Sequence, residues 1–346
     1  MVATRTGSYR PPIIGTTHAV STGHYLASAA GMRILENGGN AIDAGVAAGI
    51  CLNVLLPEMC GFGGIAPIMV YLAEENRVIS LNGVGPWPKK ASVDYFMSQH
   101  GGVIPNGVER VVVPVAAGAW LTALEMWGTK SFAEVVESAL GLARDGFALH
   151  FTGEAGFPSL IEASKNWPSS MNVFAPNGRA PKFGERFVQS DLANTFQTLI
   201  AAEKSRSAVS REAGIRAARE EFYTGGIGNQ ITKFVQNEGG LLDQDDMASF
   251  EIEVEDTLTA KFGNYDIVTC GAWSQGPTLA ETLQILQPND FGGLEHNSVE
   301  YIHLVTEALK LAFSDRDAFI GDPKFVDVPL KALSSLEYAA SRRALI

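Results

Sequence analysis

Two glycine turns with an apolar run between them constrain this chain more than its composition does. The first is Leu35-Glu36-Asn37-Gly38-Gly39-Asn40-Ala41-Ile42-Asp43-Ala44, and the second is Cys60-Gly61-Phe62-Gly63-Gly64. Between them, Gly45 to Leu56 is almost wholly apolar and closes at Pro57-Glu58. Glycine is required where the chain takes φ > 0 or where another group approaches the backbone closely. Asn40 is placed to cap the following helix, and Asp43 in its first turn suits the positive helix end. The pattern predicts a helix, a turn, a buried helix and a turn feeding a strand. A backbone-dense corner of this kind is either a packed structural unit or the border of a site.

The bulk properties exclude several classes. The chain has 346 residues, of which 46% are hydrophobic and 18% charged, as in an ordinary globular protein. Its formal net charge of −12 opposes broad contact with a phosphate backbone, so no nucleic-acid partner is expected. No apolar stretch reaches the ~18 residues that a membrane span needs. Met1 to Thr17 lacks the apolar core of a signal peptide. The three cysteines, Cys51, Cys60 and Cys270, are odd in number and widely spaced. They suggest neither a disulfide framework nor a metal site, and point to reduced thiols in a cytoplasmic protein. No metal or organic cofactor is indicated.

Along the chain, Ile13-Ile14 and Ala19-Val20 are short strand candidates. Helices are expected over Tyr25–Glu36 and Ala41–Val54, with a hairpin of Ile65–Leu72 and Arg77–Leu81 around Ala73-Glu74-Glu75-Asn76. Residues 92–250 read as a helical excursion from one domain. Within it, 151–187 is rich in Pro, Asn, Ser and Gly and reads as a surface segment. Strands return at Val254–Lys261 and Asp266–Cys270, followed by helices over Thr278–Leu286 and Val299–Phe319. About six strands do not make a closed sheet, and open edges leave backbone groups unpaired. The sequence therefore reads as part of a larger α/β (α+β) fold.

The first blocks, together with Gly118 to Phe147, Phe187-Val188-Gln189-Ser190-Asp191-Leu192-Ala193 and Phe222-Tyr223-Thr224-Gly225-Gly226-Ile227, form an ordered series. It continues through Gly239-Gly240-Leu241-Leu242-Asp243-Gln244-Asp245-Asp246 and Glu307 to Arg316, and ends at Gly321-Asp322-Pro323. In this order they resemble the large subunit of the gamma-glutamyltranspeptidase family, a branch of the N-terminal-nucleophile hydrolases. The resemblance implies a four-layer αββα sandwich completed by a separate small subunit from the same precursor, residues 1–346 being the large (alpha) subunit. It implies autocatalytic cleavage, a heterodimer with room for a dimer of heterodimers, and a nucleophilic threonine at the start of the partner chain. That hydroxyl is activated by its own α-amine, so no catalytic residue is assigned to this chain.

In gamma-glutamyl enzymes of the family, an Arg-Glu-x-Ala-Pro block after the second hairpin strand supplies an arginine that grips the substrate's α-carboxylate. Here the block reads Leu81-Asn82-Gly83-Val84-Gly85-Pro86, which puts Asn82 at the arginine and Gly83 at the glutamate. Loss of one bidentate contact in a buried site costs ~2–5 kcal/mol. Arg77 is at the opposite end of the strand, and Lys89 and Lys90 read as a solvated turn. Asn82, Gly83, Gly63 and Gly64 are the expected substrate-binding residues, with a packed tight turn as the other reading of the glycines. The expected substrate is a small non-glutamyl amide, as in the oxamate amidohydrolase and cephalosporin-acylase types. A gamma-glutamyl hydrolase or transpeptidase and a non-catalytic scaffold are the alternatives. Glu307–Lys310 reads as a surface or inter-subunit pair, and Ser274 lacks a base. On the helix carrying His303, Glu307, Lys310 and Asp315, the apolar face is expected to be Val305, Leu309, Ala312 and Phe313.

Overall fold

The computed structural model describes residues 12–287 and 293–346; the N-terminal reading of Met1 to Thr17 therefore lies partly outside the described residues. The chain divides into two compact units. The first holds the chain up to Gly64 together with Pro88–Ala248, and the second holds Ile65–Trp87 and Ser249–Ile346.

The first unit is built on the helix pair α1 (Tyr25–Glu36) and α2 (Ala41–Leu55). Gly38 turns the chain at φ 78°, and a Cβ on Gly39 would sit 2.6 Å from Ile34 Cγ2. Asn40 Oδ1 accepts the N–H groups of Ile42 and Asp43, while Asp43 Oδ2 accepts the Asn40 N–H at 2.8 Å, a reciprocal capping box. Asp43 is fully buried and does more than cap. Its carboxylate also accepts from Thr129 N (2.8 Å), Thr129 Oγ1 (2.7 Å) and Lys130 N (3.0 Å).

The rest of this unit is helical: α3 (Val93–His100), α4 (Ala116–Trp127) and α5 (Phe132–Asp145), then α6 (Phe151–Ser164) and α7 (Pro168–Phe174), then α8 (Ser190–Arg206), α9 (Arg211–Tyr223), α10 (Gly226–Asn237) and α11 (Gln244–Ala248). Helices α4 and α5 pack against α2, whose residues are almost all buried, as its lack of a polar face requires. Phe62, Phe196 and Phe222 meet edge-to-face, with ring centres 5.1 and 5.8 Å from Phe62. Glu203 of α8 caps the start of α5, accepting from Phe132 N and Ala133 N.

The structure corrects one expectation here. Ile13-Ile14 and Ala19-Val20 are not strands. Ile13 and Ile14 are 92% and 81% exposed, and no neighbouring strand pairs with either segment among the described residues. Residues 151–187 lie largely at the surface, as expected, with α6 and α7 occupying over half of them. Phe157, with ring contacts to Phe174 and Phe187, anchors the segment in a small aromatic core. A short two-stranded ladder, Phe147–Ala148 with Arg186–Phe187, closes it.

The second unit carries strands β1 (Ile68–Leu72) and β2 (Arg77–Leu81) as the expected hairpin, with Asn76 at φ 47° in its turn. Counting the short ladder as β3 and β4, the later strands are β5 (Val254–Asp256), β6 (Leu258–Phe262) and β7 (Tyr265–Thr269). β1, β2 and β5 form one antiparallel sheet in that order, and β6 pairs with β7. Helices α12 (Gly276–Leu286), α13 (Val299–Phe319), α14 (Leu330–Leu333) and α15 (Leu336–Arg343) pack around Ile285, Leu286, Ala308 and Ala339.

Asp315 lies on this buried side of α13 and pairs with Arg342 of α15 at 2.8 Å. Glu281 of α12, 1% exposed, faces Asp315 and finds no donor of its own among the described residues. One guanidinium cannot balance two buried carboxylates, so the pair retains a proton. Burial first, and Asp315 second, push the Glu281 carboxyl up to about 9.

Two outcomes follow. Asp43→Ala strands the Asn40, Thr129 and Lys130 N–H groups and should cost about 3 kcal/mol or more, read as a fall in melting temperature of roughly 5–10 °C. For Glu281, the native carboxyl holds its proton while the unfolded one ionises. Its contribution is therefore complete below the unfolded value near 4.5 and is lost as pH rises toward about 9. Glu281→Gln supplies the donor permanently. Thermal melts of the variant and the parent should agree at acid pH and diverge above it, the variant gaining on the order of 1 kcal/mol per pH unit at most.

Candidate functional site

The glycine turn of the first unit is locked to a helix start. Gly64 N donates to Gly61 O at 2.9 Å, closing the turn. The Gly64 carbonyl then accepts both Val115 N and Ala116 N, and the Phe62 carbonyl accepts Ala117 N. These are the N–H groups that a helix leaves unpaired at its start, so the turn caps α4. The packed-turn reading therefore accounts for Gly64, where a Cβ would press on Gly61 O at 3.1 Å. Gly61 and Gly63 differ, since a Cβ on either would meet nothing within 4 Å, and Gly63 is exposed.

A groove of about 640 Å³ opens nearby, between the turn after α2 and α6, floored by Glu58 and walled by Met59, Phe151 and Leu160. Glu58 packs against α6 because residue 156 is glycine; a Cβ there would lie 2.5 Å from Glu58 Cγ. Burial raises the Glu58 carboxyl above the usual range, and its oxygens have no partner among the described residues. None of Gly63, Gly64, Asn82 and Gly83 lines this groove.

Asn82 and Gly83 lie together in the second unit, where β2 ends. Gly83 admits no side chain, since a Cβ would fall 1.9 Å from Ala66 O while Gly83 O accepts Ala66 N at 3.0 Å. Asn82 N donates to Glu253 O at 2.8 Å, extending the β2–β5 ladder one step beyond the Leu81–Val254 pair. Asn82 Oδ1 accepts Val84 N at 3.1 Å, which orients the side chain and leaves its amide NH₂ and one oxygen lone pair for other contacts.

Alternation along the strand puts Ser80 on the same face as Asn82, opposite Glu255 and Glu253. Ser80 Oγ donates to Glu255 Oε1 at 3.1 Å, and the Trp273 indole N–H bonds the same oxygen. Glu253 binds Lys324 Nζ at 2.6 Å. Sequence reasoning missed Glu253, Glu255 and Lys324. The register of β5 was the signal that could have found the two glutamates.

The remaining candidates resolve plainly. Arg77 pairs with Glu75 and Asp256 at the far end of β2. Lys90, in the first unit, is exposed and pairs with Asp243 at 2.9 Å. Ser274 Oγ donates to Gly271 O and accepts Gly276 N, a turn role. Glu307 and Lys310 form an exposed pair at 2.9 Å. The apolar face expected on α13 holds at Ala312, which is buried, and at Val305, which packs on the core, and is corrected at Leu309 and Phe313, which are 40% and 43% exposed. Burial pushes the Cys51 thiol up to about 12 and raises Cys60 and Cys270, so none is a poised thiolate. Among the described residues, no group of three or more His, Cys, Asp or Glu is placed to hold a metal ion.

The family model described as gamma-glutamyltranspeptidase matches residues 27–346. A glutathione hydrolase-like YwrD proenzyme of Bacillus subtilis (strain 168) is 36% identical, over 94% of this chain and 59% of that protein. The acylase ACY 1 proenzyme of Pseudomonas sp. (strain V22) is 34% identical, over 97% of this chain and 60% of that protein. The chain thus spans about three fifths of the length of these curated relatives. The crystal structure of Helicobacter pylori gamma-glutamyltranspeptidase superposes with a TM-score of 0.88 at 27% identity, over 97% of this chain and 93% of that one. The cephalosporin acylase from Bacillus halodurans does so with a TM-score of 0.84 at 28% identity, over 100% of this chain and 63% of that one. A family match reaching from α1 to the last residue, on an α+β fold shared with solved relatives, shows that this chain belongs to the gamma-glutamyltranspeptidase family.

Proposed function

We propose that this chain is the large subunit of a two-chain amidohydrolase, cut from one precursor by its own chemistry, that hydrolyses a small non-glutamyl amide. In this reading the N-terminal threonine of the partner chain attacks the amide carbonyl through its hydroxyl oxygen. Its α-amine takes the proton and returns it to the leaving nitrogen, and water then cleaves the acyl ester. In this reading this chain contributes part of the pocket through Asn82 and Gly83 at the end of β2.

The observation that carries the reading is Asn82. A neutral side chain stands where a gamma-glutamyl enzyme is expected to place an arginine fork, and its oxygen is already used by Val84 N. The names of the relatives, glutathione hydrolase-like on one side and acylase on the other, span both substrate classes. Asn82 favours the second.

Support for a partner chain comes from the relatives being proenzymes matched over about three fifths of their length. It also comes from α13, where Val299, Ile302, Leu309 and Phe313 form an exposed apolar stripe. Such a stripe at helical spacing marks a face that another element covers. The partner would complete the four-layer αββα sandwich, and a dimer of such heterodimers is the proposed assembly. No described helix is long and apolar enough to cross a membrane. The three free cysteines support a cytoplasmic setting.

The test is release from gamma-glutamyl anilide, glutathione and oxamate, followed side by side by mass spectrometry on the matured protein. Ammonia from oxamate with silence on both glutamyl substrates is the expected result. Robust glutamyl release would return the protein to gamma-glutamyl chemistry, and an uncut, inactive precursor would make it a scaffold.

A further inference from the structure

We propose that the His24 ring is an acid-sensitive latch between the starts of α1 and α6. Neutral, it holds the two helix starts together; protonated, it releases α6, one wall of the groove over Glu58.

The latch is built from two histidines that each cap a helix. His24 is the N-cap of α1, and its Nδ1 accepts the Leu26 N–H at 3.2 Å. His150 is the N-cap of α6, and its Nδ1 accepts the Thr152 N–H at 3.4 Å. A backbone N–H only donates, so each capping ring carries its proton on Nε2 and is neutral. The two caps touch, with ring centres 5.3 Å apart in an edge-to-face contact. His24 also stacks on Tyr25 at 4.6 Å, meets Phe147 at 6.5 Å and is only 3% exposed. One buried ring thus joins two helix starts that are far apart in sequence.

This arrangement has no place for a second proton on His24. Nδ1 would then turn an N–H toward the Leu26 N–H, setting two donors against each other and removing the cap. The charge would lie at the positive end of α1, against the ring that caps the positive end of α6. Nε2 is buried and has no acceptor among the described residues. The titratable groups on neighbouring elements offer no counter-charge. Tyr25 stacks on the ring, Glu154 is exposed in the first turn of α6, and Arg186 of β4 donates to the Asp145 carbonyl. Glu58 comes closer to α6, its Oε1 lying 3.9 Å from where a Cβ on Gly153 would stand. Its oxygens are buried without a partner, and that burial favours the protonated form. Burial first, and His150 second, accordingly hold the His24 imidazole below its ordinary value of 6.5.

The closed joint keeps His24 neutral, whereas an open joint lets the ring titrate freely. The latch is therefore at full strength above about pH 6.5 and weakens as pH falls below it. Opening uncaps α1 and takes away the contact on His150, leaving α6 held through Phe157 further along. Because Phe151 and Leu160 of α6 wall the groove, acid loosens that wall. Glu58 acts in the opposite sense, since the closed joint binds its proton more tightly than the open one.

The test is hydrogen exchange of the matured protein, followed by mass spectrometry at about pH 7.5 and about pH 5.5. Rates are expressed as protection factors, which remove the pH dependence of the exchange chemistry itself. Peptides covering the first turns of α1 and α6 should lose protection severalfold in acid, while those of α8 keep theirs. The ceiling is about tenfold, the ratio set over that interval by a free imidazole of ordinary value 6.5 in the open joint. His24→Asn keeps a good N-cap that does not titrate, so its protection should be the same at both pH values. Glu58→Gln should retain the acid loss and deepen it. If His24→Asn fails to fold, the parent decides alone: the His24 resonance in histidine-labelled protein should titrate with the same midpoint as the loss of protection. Protection independent of pH in the parent, an undiminished acid loss in His24→Asn, or a loss that occurs while His24 stays neutral would each overturn the proposal.

Discussion

The first unit depends on one carboxylate. Asp43 is buried, yet it meets donors from three backbone positions and one hydroxyl, drawn from the α1–α2 turn and from the α4–α5 connection. A buried anion is costly when isolated and tolerable when its lone pairs are filled. Filling them fixes the distance between two connections far apart in sequence, and the apolar α2 is held where its neighbours can cover it. Gly128 shows how tight the arrangement is: a Cβ there would stand 2.6 Å from Asp43 Oδ1. Asn40 adds its own tie, donating through Nδ2 to Trp127 O.

With α2 fixed, its C-terminal turn has few choices. Pro57 stops the helix, and the carbonyls of Phe62 and Gly64 are presented to the start of α4, where unpaired N–H groups need acceptors. Turn and helix complete each other's hydrogen bonds. This explains why a glycine-rich segment can be structural in part while Gly63 stays open to solvent. In the second unit the organising constraint is cross-strand register, which gathers Ser80, Asn82, Glu253 and Glu255 onto one face and brings Trp273 and Lys324 to it.

What was legible in the sequence was local. The α1 and α13 bounds follow from caps and apolar spacing, and α2 from its unbroken apolar run ended by Pro57. The β1–β2 hairpin was legible from two β-rich segments around a turn with Asn76. What failed was non-local. Ile13-Ile14 have strand-like side chains, but a strand needs a neighbour. Residues 151–187 were legible as a surface segment, but the aromatic core of Phe157, Phe174 and Phe187 that anchors it was not. Asp315 looked like one more polar residue on α13, because its partners Arg342 and Glu281 come from helices on either side in sequence. The tie between Lys324 and Glu253 was not legible either, since no spacing rule links the two.

Gly83 carries a consequence for how this strand end can change over evolutionary time. Any side chain at 83 would collide with the Ala66 carbonyl, so this position is closed to variation while the backbone keeps its course. Change at this strand end has to run through residue 82 or its cross-strand neighbour 253, which is tied in turn to Lys324. A library of variants that samples 82 and 253 together explores this edge while leaving the backbone contact at 83 intact.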